Sequence, residues 1–171
     1  MVSKTAAKDF LSAVLRSAEP ALNEAGYEVV TAQCPLEGSR PVLRIFIDRL
    51  ADIDAAQPEV ESIGLDDCAA ASRIVDELIE RENLDAGIGD YFLEMSSPGL
   101  DRPLIKESDY RRFAGKRIKL KLRRDGRNAA YKGRLCLKAD NCWAVETEEG
   151  TIEFDLADVS SCRLLLDEMD F

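Results

Sequence analysis

The sequence predicts an α+β protein of two domains. The first is an N-terminal α/β layer in the order helix-strand-strand-helix-strand. The second is a small C-terminal β-barrel, SH3-like or Sm-like in size. Three observations carry this expectation. Long stretches of apolar residues at helical spacing occur only in the first half. Short alternating runs separated by turn residues fill the second. Charge also changes sign between the halves: the chain as a whole carries −10 over 171 residues. Yet residues 102–138 hold fourteen Lys and Arg against Glu107, Asp109 and Asp125, leaving nine bases and thirty acids elsewhere. One surface repels phosphate and the other attracts it.

Taken in order, Phe10, Val14, Leu15, Ala18 and Leu22 recur at helical spacing, and Gly26 supplies a stop. Pro20 lies inside that pattern and should kink the helix or open a fresh first turn. Residues 27–31 and 42–48 read as two strands of a hairpin, joined by a turn around Gly38-Ser39-Arg40-Pro41. Residues 49–64 show little periodicity and are expected to be a surface loop. Asp66 or Asp67 then caps a helix to about Glu82, with Cys68, Ala71, Val75 and Leu78 on one stripe. Residues 91–96 form the third strand.

Beyond Pro103 the texture changes. A short helix fits residues 107–113. Five short strands follow near 117–122, 130–137, 142–146, 151–154 and 162–166, with turns at Asp125-Gly126, Asp140-Asn141 and Glu149-Gly150. A single helical turn at 156–159 precedes the last strand, and the final five residues read as an acidic tail. The domain limits are 1–97 and 105–171, with a hinge at 98–104.

No run approaches the ~20 apolar residues of a membrane span, and Met1-Val2-Ser3-Lys4-Thr5 lacks an apolar signal core. The expected compartment is the cytoplasm. Five cysteines at unrelated spacings and no histidine offer no zinc pattern and no imidazole base, so no metal or cofactor is expected. Neither a phosphate-binding glycine loop nor a Gly-x-Ser-x-Gly turn is present. The carboxylates Glu94 and Asp101 leave a hydrolase as the weakest of three functional readings.

The cations form the sharpest signal. Arg117, Lys119 and Lys121 alternate with Ile118, Leu120 and Leu122, so a strand places the three cations on one face ~6.6 Å apart. In the next strand Lys132, Arg134 and Lys138 share one phase, and Tyr131, Leu135 and Leu137 the other. Arg123, Arg124 and Arg127 add charge at the turn. Two in-phase strands favour a phosphate-binding face over an ordinary solvated one. Tyr131 falls in the core phase, so the cationic face lacks a stacking platform and splayed single-stranded bases fit poorly.

The stretch from Leu93 through Ser96, Ser97, Pro98, Gly99, Asp101 and Arg102 to Leu104 leaves a strand, turns at Pro98-Gly99 and stops at Pro103. Pro98-Gly99 suits the centre of a type II turn. Asp101 and Arg102 can pair locally or face a partner. This string resembles the segment joining the two domains of the RimP family of ribosome maturation factors. The likeness extends to Ala25-Gly26-Tyr27-Glu28-Val29, Leu43-Arg44-Ile45-Phe46-Ile47-Asp48, Leu65-Asp66-Asp67-Cys68-Ala69, Phe113-Ala114-Gly115-Lys116 and Tyr131-Lys132-Gly133-Arg134-Leu135.

The resemblance implies a non-catalytic factor that binds immature small ribosomal subunits near the future decoding region. There it would promote rRNA folding and the incorporation of small-subunit ribosomal protein twelve. It further implies contacts at residues 96–104 and the adjoining barrel, with Arg102 and the cationic face as the expected contact groups. Two features depart from the family's pattern: a longer 51–64 loop and a strongly acidic N-terminal half. The protein is expected to be a monomer with no small-molecule substrate and no membrane partner. The alternative is a free-standing Sm-like RNA-binding protein.

Overall fold

The computed structural model describes residues 2–50, 63–99, 101–124, 126–138 and 142–165. Most of the expected 49–64 loop, the Asp140-Asn141 turn, Asp125 and the acidic tail lie outside the described residues. The chain divides into two compact units that meet in sequence at Pro98 and Gly99.

In the first unit, helix α1 (Lys4–Glu24) begins where the Ser3 hydroxyl accepts the Ala6 N–H at 3.1 Å. Ala7, Phe10, Val14, Ala18 and Leu22 form its buried stripe, as the 3.6-residue period requires. Pro20 neither breaks this element nor starts a new one. Pro20 and Arg16 both lie on the exposed side, so the carbonyl that Pro20 cannot engage faces water. Gly26, at φ +85°, ends the helix as expected.

Strand β1 (Tyr27–Gln33) and the two-residue β2 (Leu36–Glu37) run along one side of β3 (Arg40–Arg49), with Gly38-Ser39 as the turn. Pro35 keeps the same register by accepting the Val42 N–H at 2.9 Å. The pair is thus one long hairpin, interrupted at Cys34-Pro35 and bulged between Val29 and Thr31. Leu43, Ile45 and Ile47 of β3 point into the core and are completely buried. Such aliphatic residues are each worth roughly 1.5–3 kcal/mol on burial.

Helix α2 (Leu65–Glu82) returns the chain to β4 (Phe92–Ser96), which pairs in parallel with the other side of β3. Antiparallel strands need only a turn, whereas this parallel pair uses a helix as its crossover. Ala71, Val75, Leu78 and Ile79 pack α2 onto the core shared with α1. The Ser17 hydroxyl donates to Glu82 at 2.6 Å and ties the two helices together.

Asp67 does not cap α2 from outside, as the sequence pattern predicts. The helix starts two residues earlier, with Gly64 at the cap, and Asp67 reaches back to accept the Gly64 N–H at 2.9 Å. The same carboxylate accepts the Tyr27 hydroxyl at 3.0 Å and pairs with Arg49 at 2.8 Å. It therefore binds the helix start to both strands of the hairpin.

The second unit holds the short α3 (Glu107–Arg112) and strands β5 (Arg117–Arg124), β6 (Arg127–Leu137), β7 (Trp143–Thr147), β8 (Gly150–Phe154) and β9 (Val159–Leu164). One 3-10 turn (Leu156–Asp158) precedes β9. All five strands form one antiparallel sheet in the order β8-β7-β6-β5-β9. Among the described residues no ladder joins the outer strands β8 and β9, so a closed barrel is not part of the observed pairing. The core contains Leu104, Tyr110, Phe113, Ile118, Leu120, Leu122, Leu135, Trp143, Val145, Phe154 and Cys162.

β6 is eleven residues long and overruns this core at both ends. Leu135 is fully buried, but Leu137, read from the sequence as a core residue, is 39% exposed, and Tyr131 is half-buried. Gly133 lies where β7 crosses closely. A Cβ there would stand 2.0 Å from the Glu146 carbonyl oxygen. Backbone rather than a movable side chain blocks that space, so Gly133→Ala should destabilise the second unit by about 2–3 kcal/mol. A lowered urea midpoint with an unchanged slope would report it.

Asp67 gives a pH dependence to the first unit. The Gly64 N–H, then Tyr27 and Arg49, hold its carboxyl below the usual carboxylate range against the opposing effect of burial. A carboxyl depressed on folding adds stability above its unfolded value of ~3.9, and that stability is lost as pH falls through the folded value. The stability gap between the parent and Asp67→Asn should therefore be fully open at pH 7 and close below about pH 4, as thermal melts across this range would show.

Candidate nucleic-acid interface

The alternation read from residues 117–122 is realised in β5. Ile118, Leu120 and Leu122 are buried, while Arg117, Lys119, Lys121 and Arg123 are exposed on the opposite face. In an antiparallel sheet, residues directly opposite one another share a face. The register places Lys132 of β6 and Arg163 of β9 on either side of Lys119, and Arg134 opposite Arg117. A row Arg163–Lys119–Lys132 thus crosses three strands, which in a sheet lie ~4.8 Å apart. Like charges directly opposite cost stability. Such a row favours an anion lying across it.

Arg163 is absent from the sequence-based set of cations. Its signal was the alternation Ser161-Cys162-Arg163-Leu164, in which Cys162 is buried and Arg163 exposed. The pairing of β9 with β5 is what brings it beside Lys119. The outer surface is not uniformly basic. Glu146 stands opposite Arg134. Glu146, Glu148 and Glu149 form one wall of a groove of about 700 Å³, with Arg117, Lys132 and Arg134 on the other side.

Some cations in the predicted set have partners that limit their reach. The Arg134 guanidinium donates to the Gly115 carbonyl at 2.7 Å. Arg124 lies on the inner side of its strand, pairs with Asp158 at 2.6 Å and donates to the Glu153 carbonyl at 3.0 Å. Lys138 is 3.8 Å from Glu153.

The hinge residues fall into two groups. Ser96 closes β4, and its hydroxyl donates to the Ser97 carbonyl at 3.0 Å. Ser97 and Pro98 are half-buried, and Gly99 is exposed at φ +68°, the left-handed conformation that the third position of a type II turn requires. From Asp101 onward the chain belongs to the second unit. The Asp101 carbonyl accepts Arg163 at 3.2 Å, the Leu104 N–H donates to Cys162, and the Leu164 N–H donates to the Arg102 carbonyl.

Arg102 corrects the sequence reading. It is not a surface contact: only 4% of it is exposed, and it pairs with the equally buried Asp109 at 2.9 Å. Its guanidinium lies 4.8 Å from the centre of the Phe113 ring. The second Asp109 oxygen accepts the N–H groups of Ile105 and Lys106, each at 2.8 Å. A guanidinium held this way cannot reach an external phosphate without leaving a buried carboxylate alone.

Of the two carboxylates behind the hydrolase reading, Glu94 is held in an ion pair. Glu94 pairs with Arg44, which also pairs with Glu37 at 2.7 Å. Of the cysteines, Cys162 is buried and the other four are half-buried, all as free thiols. Burial pushes the Cys162 thiol up to about 11, which makes it unreactive at neutral pH. Among the described residues no helix is long and apolar enough to cross a membrane.

Residues 17–101 match the RimP N-terminal domain. The chain belongs to the RimP family. RimP-type proteins are ribosome maturation factors, associated with small-subunit maturation. The match runs from within α1 to Asp101 and contains none of the cationic strands. Membership therefore rests on the helical unit and the hinge, and the charged sheet adds an independent physical observation.

The Arg102–Asp109 pair sets an expectation for stability. Asp109→Ala removes the counter-ion of Arg102 and the acceptor of two backbone N–H groups. It should cost about 3–5 kcal/mol. The pair Arg102→Met with Asp109→Asn removes both charges and keeps a carbonyl oxygen for Ile105 and Lys106. It should recover most of that loss in urea unfolding.

Proposed function

We propose that this chain is a non-catalytic assembly factor that binds immature small ribosomal subunits through the outer face of β5, β6 and β9. It would hold a local rRNA arrangement while small-subunit ribosomal protein twelve is incorporated, then leave when the finished surface no longer fits. The Arg163–Lys119–Lys132 row is the observation that carries this reading, because it concentrates positive charge on a chain of net charge −10. Arg117, Lys121, Arg123 and Arg134 extend the face along the strands. Exposed cations gathered on one face neutralise phosphates without reading bases, so affinity should fall steeply with salt.

The second unit is proposed to be an SH3-like barrel. The strand order, in which the last strand returns beside the first, and the 3-10 turn ahead of it support that description. The domain limits 1–97 and 105–171 and action as a cytoplasmic monomer belong to the same proposal.

The test is the joint replacement of Lys119, Lys121, Lys132 and Arg134 by Glu. The folded variant should lose binding to precursor small subunits by about 100-fold or more at ~0.1 M salt, read by co-sedimentation on sucrose gradients. The parent protein should leave the subunit fraction as salt rises. Undiminished binding by the folded variant would overturn the assignment of this face. Sedimentation with small RNAs alone would favour a free-standing RNA-binding protein.

A further inference from the structure

The inner side of the β5–β6 hairpin continues past the end of the core. Register pairs Leu120 with Tyr131, Leu122 with Ala129 and Arg124 with Arg127, all on that side. Leu120 and Leu122 are sealed, at 0% and 3% exposure, whereas Tyr131 and Ala129 are half-buried and Arg127 is exposed. An open pocket of about 470 Å³ results, lined by Leu122, Arg124, Arg127, Ala129 and Tyr131. Its floor is apolar and includes one aromatic residue, and two guanidinium groups stand at its lip.

Arg124 is anchored to Asp158 and the Glu153 carbonyl, so its plane is fixed and its charge offset. Arg127 sits directly across the ladder from it and is exposed, which places a second guanidinium where an anion at the lip would meet it. Tyr131 also lines the neighbouring groove of Arg117, Lys132 and Arg134, so pocket and groove share a wall.

We infer that this pocket receives one unpaired nucleotide of an RNA strand, with the base against Tyr131 and the adjoining phosphate at Arg127. An apolar aromatic floor beneath a cationic lip matches a flat base joined to an anion. The groove on the cationic face is lined chiefly by charged groups and meets this floor only at Tyr131. This site reads a different feature of RNA from the one that face would read: a single exposed base in place of a run of phosphates. The inference rests on the RNA-binding reading of the second unit and is tested separately from it.

Fluorescence anisotropy with the full-length chain would measure binding to three RNAs: a 12-nucleotide unstructured strand, the same strand with abasic internal positions, and a fully paired hairpin. The unmodified protein should prefer the natural strand over the abasic one by about tenfold, the scale of one stacked base. Tyr131→Leu should lose about tenfold on the natural strand and nothing on the other two. Arg127→Gln should weaken natural and abasic strands by similar, smaller factors. Equal binding of natural and abasic strands by the unmodified protein would overturn the pocket, and that comparison needs no variant. Equal weakening of all three RNAs by a Tyr131→Leu protein with an unchanged melting temperature would overturn it as well. Binding to the hairpin with no preference for bases would leave the cationic face standing alone, and binding to none of the three would remove both.

Discussion

The buried pair of Arg102 and Asp109 organises the second unit. Removing a guanidinium and a carboxylate from water is costly, and close geometry with further hydrogen bonds must offset that cost. Both conditions are met: one carboxylate oxygen takes Arg102, and the other takes the N–H groups of Ile105 and Lys106. Residues 102–106 are thereby held in one conformation. That segment edges β9, through bonds to Cys162 and Leu164, and β9 in turn edges β5. A single ion pair inside the unit thus bears on where the outer cations stand.

Local periodicity made much of the fold legible. The stripes of α1 and α2, the alternation in β3 and β5, and the 3-10 turn before β9 all follow from patterns within a few residues. Features set by which side chain is buried against which polar group, rather than by period, were not legible, even between near neighbours in the chain. Arg102 lies in a polar stretch between a turn and a proline, and nothing beside it marks the guanidinium as buried. Its partner Asp109 resembles an ordinary first-turn helix acid. Asp67 looked like a cap because its N–H-accepting role reads the same in sequence whether it acts from the cap position or from three residues inside.

The same distinction separates the parts of the candidate interface. Lys119 and Lys132 face one another across a hairpin, so strand phase and a nearby turn were enough to place them together. Arg163 entered only through a long-range pairing. Tyr131 lies in the inner phase, as strand alternation predicts, but an inner position is not by itself a place in the closed core. β6 is longer than the core it covers, and strand phase says nothing about where a core ends.

The connectivity of the sheet also bears on how the charged row comes into being. Adjacent strands β5 and β6 can meet by closing a short turn, whereas β5 and β9 must wait until every intervening strand has been made, and the loop-closure entropy of that contact comes due late. During synthesis, then, a nascent chain would display a two-strand basic hairpin before the third column is in place. Attraction for polyanions would sharpen only with the last strand, so the topology itself schedules when this acidic protein acquires its basic surface.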